Sequence, residues 1–152
     1  MAIYRCGRCG SINRVADERV RDRPRCGRCK AQLDTAGAPQ PVDGAALAQA
    51  IASSPVPILV DCWATWCGPC RTVAPIVDAL GRNHAGKMLV LKLDTDADPA
   101  EAGRRRIQGV PTFLLFHRGR ELDRRTGVAS RADLERWIAS HTGQPPARAS
   151  HP

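Results

Sequence analysis

Three times the chain sets two cysteines two residues apart: Cys6 and Cys9, Cys26 and Cys29, Cys67 and Cys70. Each pair calls for a metal, a cross-link or redox chemistry, and the surroundings separate the three. The first two lie in residues 1–34, rich in cysteine, glycine and arginine and almost without apolar periodicity. A segment that short buries too little to fold by its core alone and needs a metal or cross-links. The third pair sits where an apolar run, "PILVDCWA", gives way to an amphipathic stretch through Val73, Ile76, Val77 and Leu80.

The first four cysteines read C-x2-C-x16-C-x2-C, within the spacing of a four-cysteine zinc site. Two residues between ligands let one tight turn aim both sulfurs at one ion. Gly7, Gly10 and Gly27 give those turns backbone freedom. Two disulfides or two further redox pairs are the alternatives. Neither pair is expected to follow a buried strand or open an amphipathic helix, so nothing there would lower a thiol pKa as redox motifs require. Cys6, Cys9, Cys26 and Cys29 are therefore the expected zinc ligands, in a structural role because four protein ligands leave no open position.

The pattern after residue 34 is that of a mixed α/β domain. "DTAGAPQPVDG" reads as a linker running into an edge strand. A helix with Leu47, Ala50 and Ile51 on one face follows, then a buried strand over 57–64 and a helix opening at the third cysteine pair. "KMLVLKLD" reads as a second buried strand, and "DPAEAGRRRIQG" as a short helix closing at its glycine. "TFLLFHRGRELDRRTG" reads as a hairpin turning at Arg118-Gly119. Ser130 and Asp133 start a last helix with Leu134, Trp137, Ile138 and His141 on one face. These elements imply a mixed central sheet flanked by helices. The expected organisation is a four-cysteine module over 1–34, the α/β domain over 35–142 and a disordered tail over 143–152.

Cys67 and Cys70 open a helix, where partial positive charge and free amide hydrogens favour a thiolate. "WCGPC", with Asp61 upstream, Lys92, and Gly109-Val110-Pro111 downstream, resembles the thioredoxin family over roughly residues 38–142. With the N-terminal cysteine pairs, the chain is similar to its zinc-ribbon members, the thioredoxin-2 type. The resemblance implies a thioredoxin-like fold preceded by a zinc ribbon, and a protein-disulfide reductase. In it Cys67 is the exposed nucleophile and Cys70 the recessed thiol that resolves the mixed disulfide. It makes Asp61 the buried carboxylate behind Cys70, its general base through a water, and places Lys92 close enough to influence Asp61. It makes Pro111 cis and gathers Trp66, Gly68, Pro69, Val110, Pro111 and Gly127 around Cys67 as a docking patch. Gly-Pro between the cysteines goes with the reducing end of that family. The implied partners are disulfide-containing proteins and an NADPH-dependent thioredoxin reductase, with no organic cofactor bound.

Other side chains receive plainer readings. Trp63 is expected in the core and Trp66 at the surface. Cys62 alternates away from Asp61 and is expected as a small buried hydrophobe. The four histidines lack ligand spacing, and no chemistry is assigned to them.

The rival reading is a zinc-dependent, redox-controlled adaptor whose basic ribbon recruits a partner, nucleic acid included. Residues 1–34 carry nine Arg and Lys against four acids, net +5 of the chain's +8. Aromatic residues at 4% leave little to stack on bases, which argues against nucleic acid. No run of eighteen apolar residues exists, so no membrane span is expected. The start, "MAIYRCGRCG", lacks the apolar core of a signal peptide, and a cytoplasmic location is expected. Reducing conditions there disfavour permanent disulfides, consistent with cysteines at metal and redox work.

Overall fold

The computed structural model describes residues 1–145. Most of the tail expected over 143–152 lies outside the described residues. Its first residues are placed: Gly143, at φ +73°, closes the last helix, and Gln144 Nε2 donates to the Lys87 carbonyl at 3.3 Å.

Two short strands, β1 (Ala2–Arg5) and β2 (Ile12–Val15), pair antiparallel, and a 3₁₀ turn spans Asp17–Asp22. The two cysteine knuckles have matching backbones. Gly10 N–H donates to the Cys6 carbonyl at 2.9 Å, and Lys30 N–H to the Cys26 carbonyl at 3.0 Å. Each knuckle closes on a left-handed residue, Gly10 at φ +79° and Lys30 at φ +64°. Only one of the three glycines expected to free these turns therefore uses positive φ. In the second knuckle a lysine does so instead, and its Nζ donates to the Gly27 carbonyl.

The expectation that neither pair follows a buried strand is corrected. All of β1 is buried, and it leads directly into Cys6. Ala2 and Tyr4 pack with Val15, Leu33 and the buried Cys6 and Cys26 in a small cluster of their own. The larger unit covers the other side of β1: Ile3 N–H donates to the Gly86 carbonyl at 2.9 Å. Gly86 is required there, because its φ is +86° and a Cβ would sit 3.0 Å from that of Ala2.

The larger unit is one five-stranded sheet in the order β3-β5-β4-β6-β7. β3 (Gln40–Pro41), β5 (Leu89–Asp94) and β4 (Ile58–Trp63) run parallel; β6 (Thr112–His117) and β7 (Arg120–Thr126) are antiparallel. Pro41 is tolerated because β3 is an edge. The central β4 presents alternate residues to two cores. Ile58, Val60 and Cys62 pack with Leu47 and Ala50 of α1 (Gly44–Ser53). Leu59 packs with Val73, Val77 and Leu80 of α2 (Gly68–Asn83) and with Leu134 and Ile138 of α4 (Arg131–Thr142). Helices thus cover both faces, as the alternation of elements implies. The hairpin turns at Arg118 (φ +54°) and Gly119 (φ +80°), two left-handed residues that match the twist of the strands.

One element differs in extent. The helix expected to close at Gly109 is only α3, Pro99–Arg104, because Arg106 turns left-handed at φ +56° and breaks the backbone ladder. The freed chain, 107–111, becomes a loop leading to Pro111.

Candidate active site and metal centre

The end of β4 hands the chain to α2 through Ala64-Thr65-Trp66, so Cys67 becomes the N-cap of a sixteen-residue helix. Its Sγ accepts the Cys70 N–H at 3.1 Å. Cys67 and Cys70 are joined as a disulfide with Cα atoms 5.3 Å apart. The expected contrast between an exposed and a recessed thiol is not seen in this oxidised state: Cys67 is 2% exposed and Cys70 5%. The reason is local, since the Cys67 sulfur turns inward to meet Cys70 and lies 3.7 Å from the Val110 carbonyl oxygen.

The Val110-Pro111 peptide is cis. Pro111 itself is buried, and Val110 is half-buried. Of the other residues expected around the disulfide, Trp66 is 68% exposed, and Gly68 and Pro69 are exposed. Gly127, at φ +102°, donates its N–H to the Pro111 carbonyl at 2.9 Å, and the next residue, Val128, is 54% exposed. Val128 is an exposed apolar residue that sequence reasoning did not single out. Its position directly after Gly127 was the available signal. Trp63 is not core as expected. It is half-buried, packs against Ala64, Cys67 and Cys70, and carries Lys92 Nζ 5.1 Å from its ring centroid.

Asp61 interrupts β4 two residues before its end. It alternates with Leu59, so it faces α2, whose first turn holds Cys70. The residue is 1% exposed, and its Oδ1 has no hydrogen-bond partner among the described residues. Burial pushes its carboxyl up to about 6, with Lys92 opposing and Asp78 of α2 reinforcing. Lys92 stands directly beside Asp61 in the β4–β5 register. Cys62, on the opposite face, is fully buried among leucines, and burial pushes its thiol up to about 12. It packs as a small apolar side chain. Two histidines without assigned chemistry make structural pairs, His84 with Glu135 at 2.8 Å and His141 with Asp123 at 3.0 Å.

The other four cysteines converge. Their sulfurs all lie within 4.8 Å of one another, and Cys6–Cys29 and Cys9–Cys26 are both 3.6 Å apart. Zn–S bonds of about 2.3 Å in a tetrahedron separate sulfurs by about 3.8 Å, so the set fits a Zn²⁺ ion. Backbone amides serve the sulfurs: Arg28 N–H reaches Cys26 Sγ at 3.4 Å.

A family profile described as Thioredoxin matches residues 39–140, about two thirds of the chain. The chain belongs to the thioredoxin family. A second profile, described as Thioredoxin 2, N-terminal, matches residues 5–31 and covers the zinc-ribbon module with its four cysteines. Thioredoxin C-3 of Corynebacterium nephridii is 30% identical over 136 residues, spanning 90% of this chain and 92% of its own length. Thioredoxin 1 of a Nostoc species is 40% identical over 93 residues, 61% of this chain and 87% of its own. A solved structure, a mutant thioredoxin from Halobacterium salinarum, is 30% identical and covers 74% of this chain and 98% of its own, with a TM-score of 0.66. The thioredoxin domain is a thiol–disulfide oxidoreductase, a protein-disulfide reductase built on the Cys67/Cys70 couple. Among the described residues no helix is long and apolar enough to cross a membrane.

Proposed function

We propose that Cys67 attacks the target disulfide and Cys70 resolves the intermediate. The observation that carries this order is the N-cap position of Cys67, whose sulfur already accepts the Cys70 N–H at the positive end of α2. That donor and the helix end stabilise a thiolate on Cys67 once the pair is reduced. The Cys67 thiolate attacks one target sulfur, forming a mixed disulfide and expelling the other as a thiolate that takes up a proton. Cys70, deprotonated, then attacks Cys67 Sγ. The second target sulfur is expelled as a thiolate and takes up a proton, so the target leaves as a dithiol two electrons more reduced and Cys67 and Cys70 are left as a disulfide.

Asp61 is the proton acceptor for Cys70. Its free Oδ1, its burial and its raised carboxyl support a group that can take a proton near neutral pH through one water. Lys92 tunes that acceptor by opposing its rise. An extended target segment lies across Val110 and docks on Trp66, Gly68, Pro69, Gly127 and Val128, while buried Pro111 shapes the floor. An NADPH-dependent thioredoxin reductase returns the dithiol, and the cytoplasm is the compartment where such chemistry runs as reduction.

Cys6, Cys9, Cys26 and Cys29 hold a structural Zn²⁺ that supplies the folding energy of the module over 1–34, joined to the thioredoxin domain over 35–142. The test is trapping from lysate followed by mass spectrometry. Cys70→Ser accumulates mixed disulfides through Cys67, whereas Cys67→Ser gives none and no insulin reduction. Equal trapping by both variants would overturn the order.

A further inference from the structure

Arg5 reads in the sequence as one more ribbon arginine, yet the fold buries it to 9% exposure. It ends β1 and immediately precedes the ligand Cys6. Its Nη1 donates to Gln40 Oε1 at 2.9 Å, and Gln40 Nε2 donates back to the Arg5 carbonyl at 2.9 Å. Gln40 belongs to β3, the edge of the thioredoxin sheet, where it pairs with Leu91. The two side chains together cover the first cysteine knuckle. A Cβ on Gly10, the residue after Cys9, would lie 3.2 Å from Arg5 Nη2, and one on Gly7 would lie 3.7 Å from Gln40 Nε2.

Arg5 Nε is buried and has no hydrogen-bond partner among the described residues, and no carboxylate there forms an ion pair with the guanidinium. Asp43 opposes its charge only from beyond ion-pair distance, and a buried cation so weakly matched is costly. Four thiolates around Zn²⁺ carry a net charge of −2, and they are next to it in the chain. The exposed Arg8, in the same knuckle, has no such burial. We infer that Arg5 is the counter-charge of the four-cysteine site and that, through Gln40, it ties metal binding to docking of the ribbon on the thioredoxin sheet. Arg5 and Gln40 are positioning residues and touch no substrate. The inference rests on the reading of the cysteines as zinc ligands.

The experiment uses the full chain, reduced and loaded with Zn²⁺. A chromophoric chelator competes for the ion, and amide exchange is followed at Ile3, whose N–H is bonded to the Gly86 carbonyl across the junction. Arg5→Gln and Gln40→Ala should each weaken zinc binding by about tenfold or more, the scale of a lost hydrogen bond to a charged group. Arg5→Lys, which keeps the charge without the fork, should fall between, and Arg8→Gln should stay within about twofold of wild type. Chelation of the wild type should speed exchange at Ile3. Gln40→Ala is informative even if Arg5→Gln fails to fold, because it lies outside the ribbon. Wild-type affinity in Gln40→Ala, or exchange at Ile3 indifferent to zinc, overturns the inference. A wild-type chain that binds no zinc overturns instead the reading of the ligands.

Discussion

Replacing Asp61 by asparagine removes a charge that the fold holds out of water. The residue is 1% exposed, and burial raises its carboxyl from 3.8 to about 6. The folded state therefore binds this proton more tightly than the unfolded chain. The resulting stability is fully present below 3.8 and is lost as pH rises through about 6. The gap corresponds to about 3 kcal/mol at pH 8 and about 0.6 kcal/mol at pH 4. Asp61→Asn should accordingly gain close to that amount over wild type at pH 8 and little at pH 4, where both side chains are largely neutral. Urea unfolding of the two oxidised proteins at each pH measures the difference, and subtraction cancels every other titrating group. The same substitution should slow resolution of a preformed mixed disulfide by about a hundredfold, as loss of a positioned base does. A stability difference independent of pH would refute the burial argument. A resolution rate unchanged from pH 6 to 9 would remove Asp61 from the proton transfer.

Three further outcomes are expected. Val128→Asp and Trp66→Ala should raise KM for a protein disulfide while leaving reduction of a small aromatic disulfide near wild type; equal losses on both would indicate a damaged active site instead of a docking patch. Asp98→Ala should lower Tm, because this one carboxylate accepts the N–H of Gly44 at the start of α1 and of Glu101 in α3, and thermal scans read the change. Those bonds hold its carboxyl below the usual range, the Gly44 amide foremost, so its contribution is present above 3.8 and is lost as pH falls further; Asp98→Ala should flatten the acid limb of the stability profile. Chelation under reducing conditions should unfold residues 1–34 with loss of about one zinc per chain by elemental analysis, since small zinc modules draw about 10–16 kcal/mol from the ion, while insulin reduction persists. Loss of insulin reduction on chelation would show that the thioredoxin domain depends on the ribbon.

Much of the chemistry was legible because it is carried by spacing. A C-x2-C pair between an apolar run and an amphipathic stretch, and another two in a segment with almost no apolar periodicity, were the signals that set the redox pair apart from the other four cysteines. Asp61 was legible because a carboxylate inside an apolar run demands a reason. The turn at Arg118-Gly119 and the cap at Ser130 were legible because local backbone energetics decide them. What failed depends on contacts from elsewhere in the chain. The segment before Cys6 showed almost no apolar periodicity, and β1 is buried because its own small cluster covers one side and residues around Gly86 meet the other. The third helix stops at Arg104 because Arg106 leaves the helical region, which no propensity in "GRRRIQG" announced.

The sequence by itself determined where the chemistry-bearing side chains fall: two redox cysteines at a helix start, four cysteines in two knuckles, a carboxylate in a strand. These are properties of neighbours along the chain, and spacing and alternation encode them. Only the tertiary structure decided the environments. It placed Cys67 inward against Val110, left Val128 exposed and Pro111 buried, and set Lys92 beside Asp61 and over the Trp63 ring. It also turned Arg5 from a solvated charge into a buried clasp on Gln40, thirty-five residues away. Burial and electrostatic cost are sums over everything that surrounds a group, and those surroundings exist only once distant segments pack.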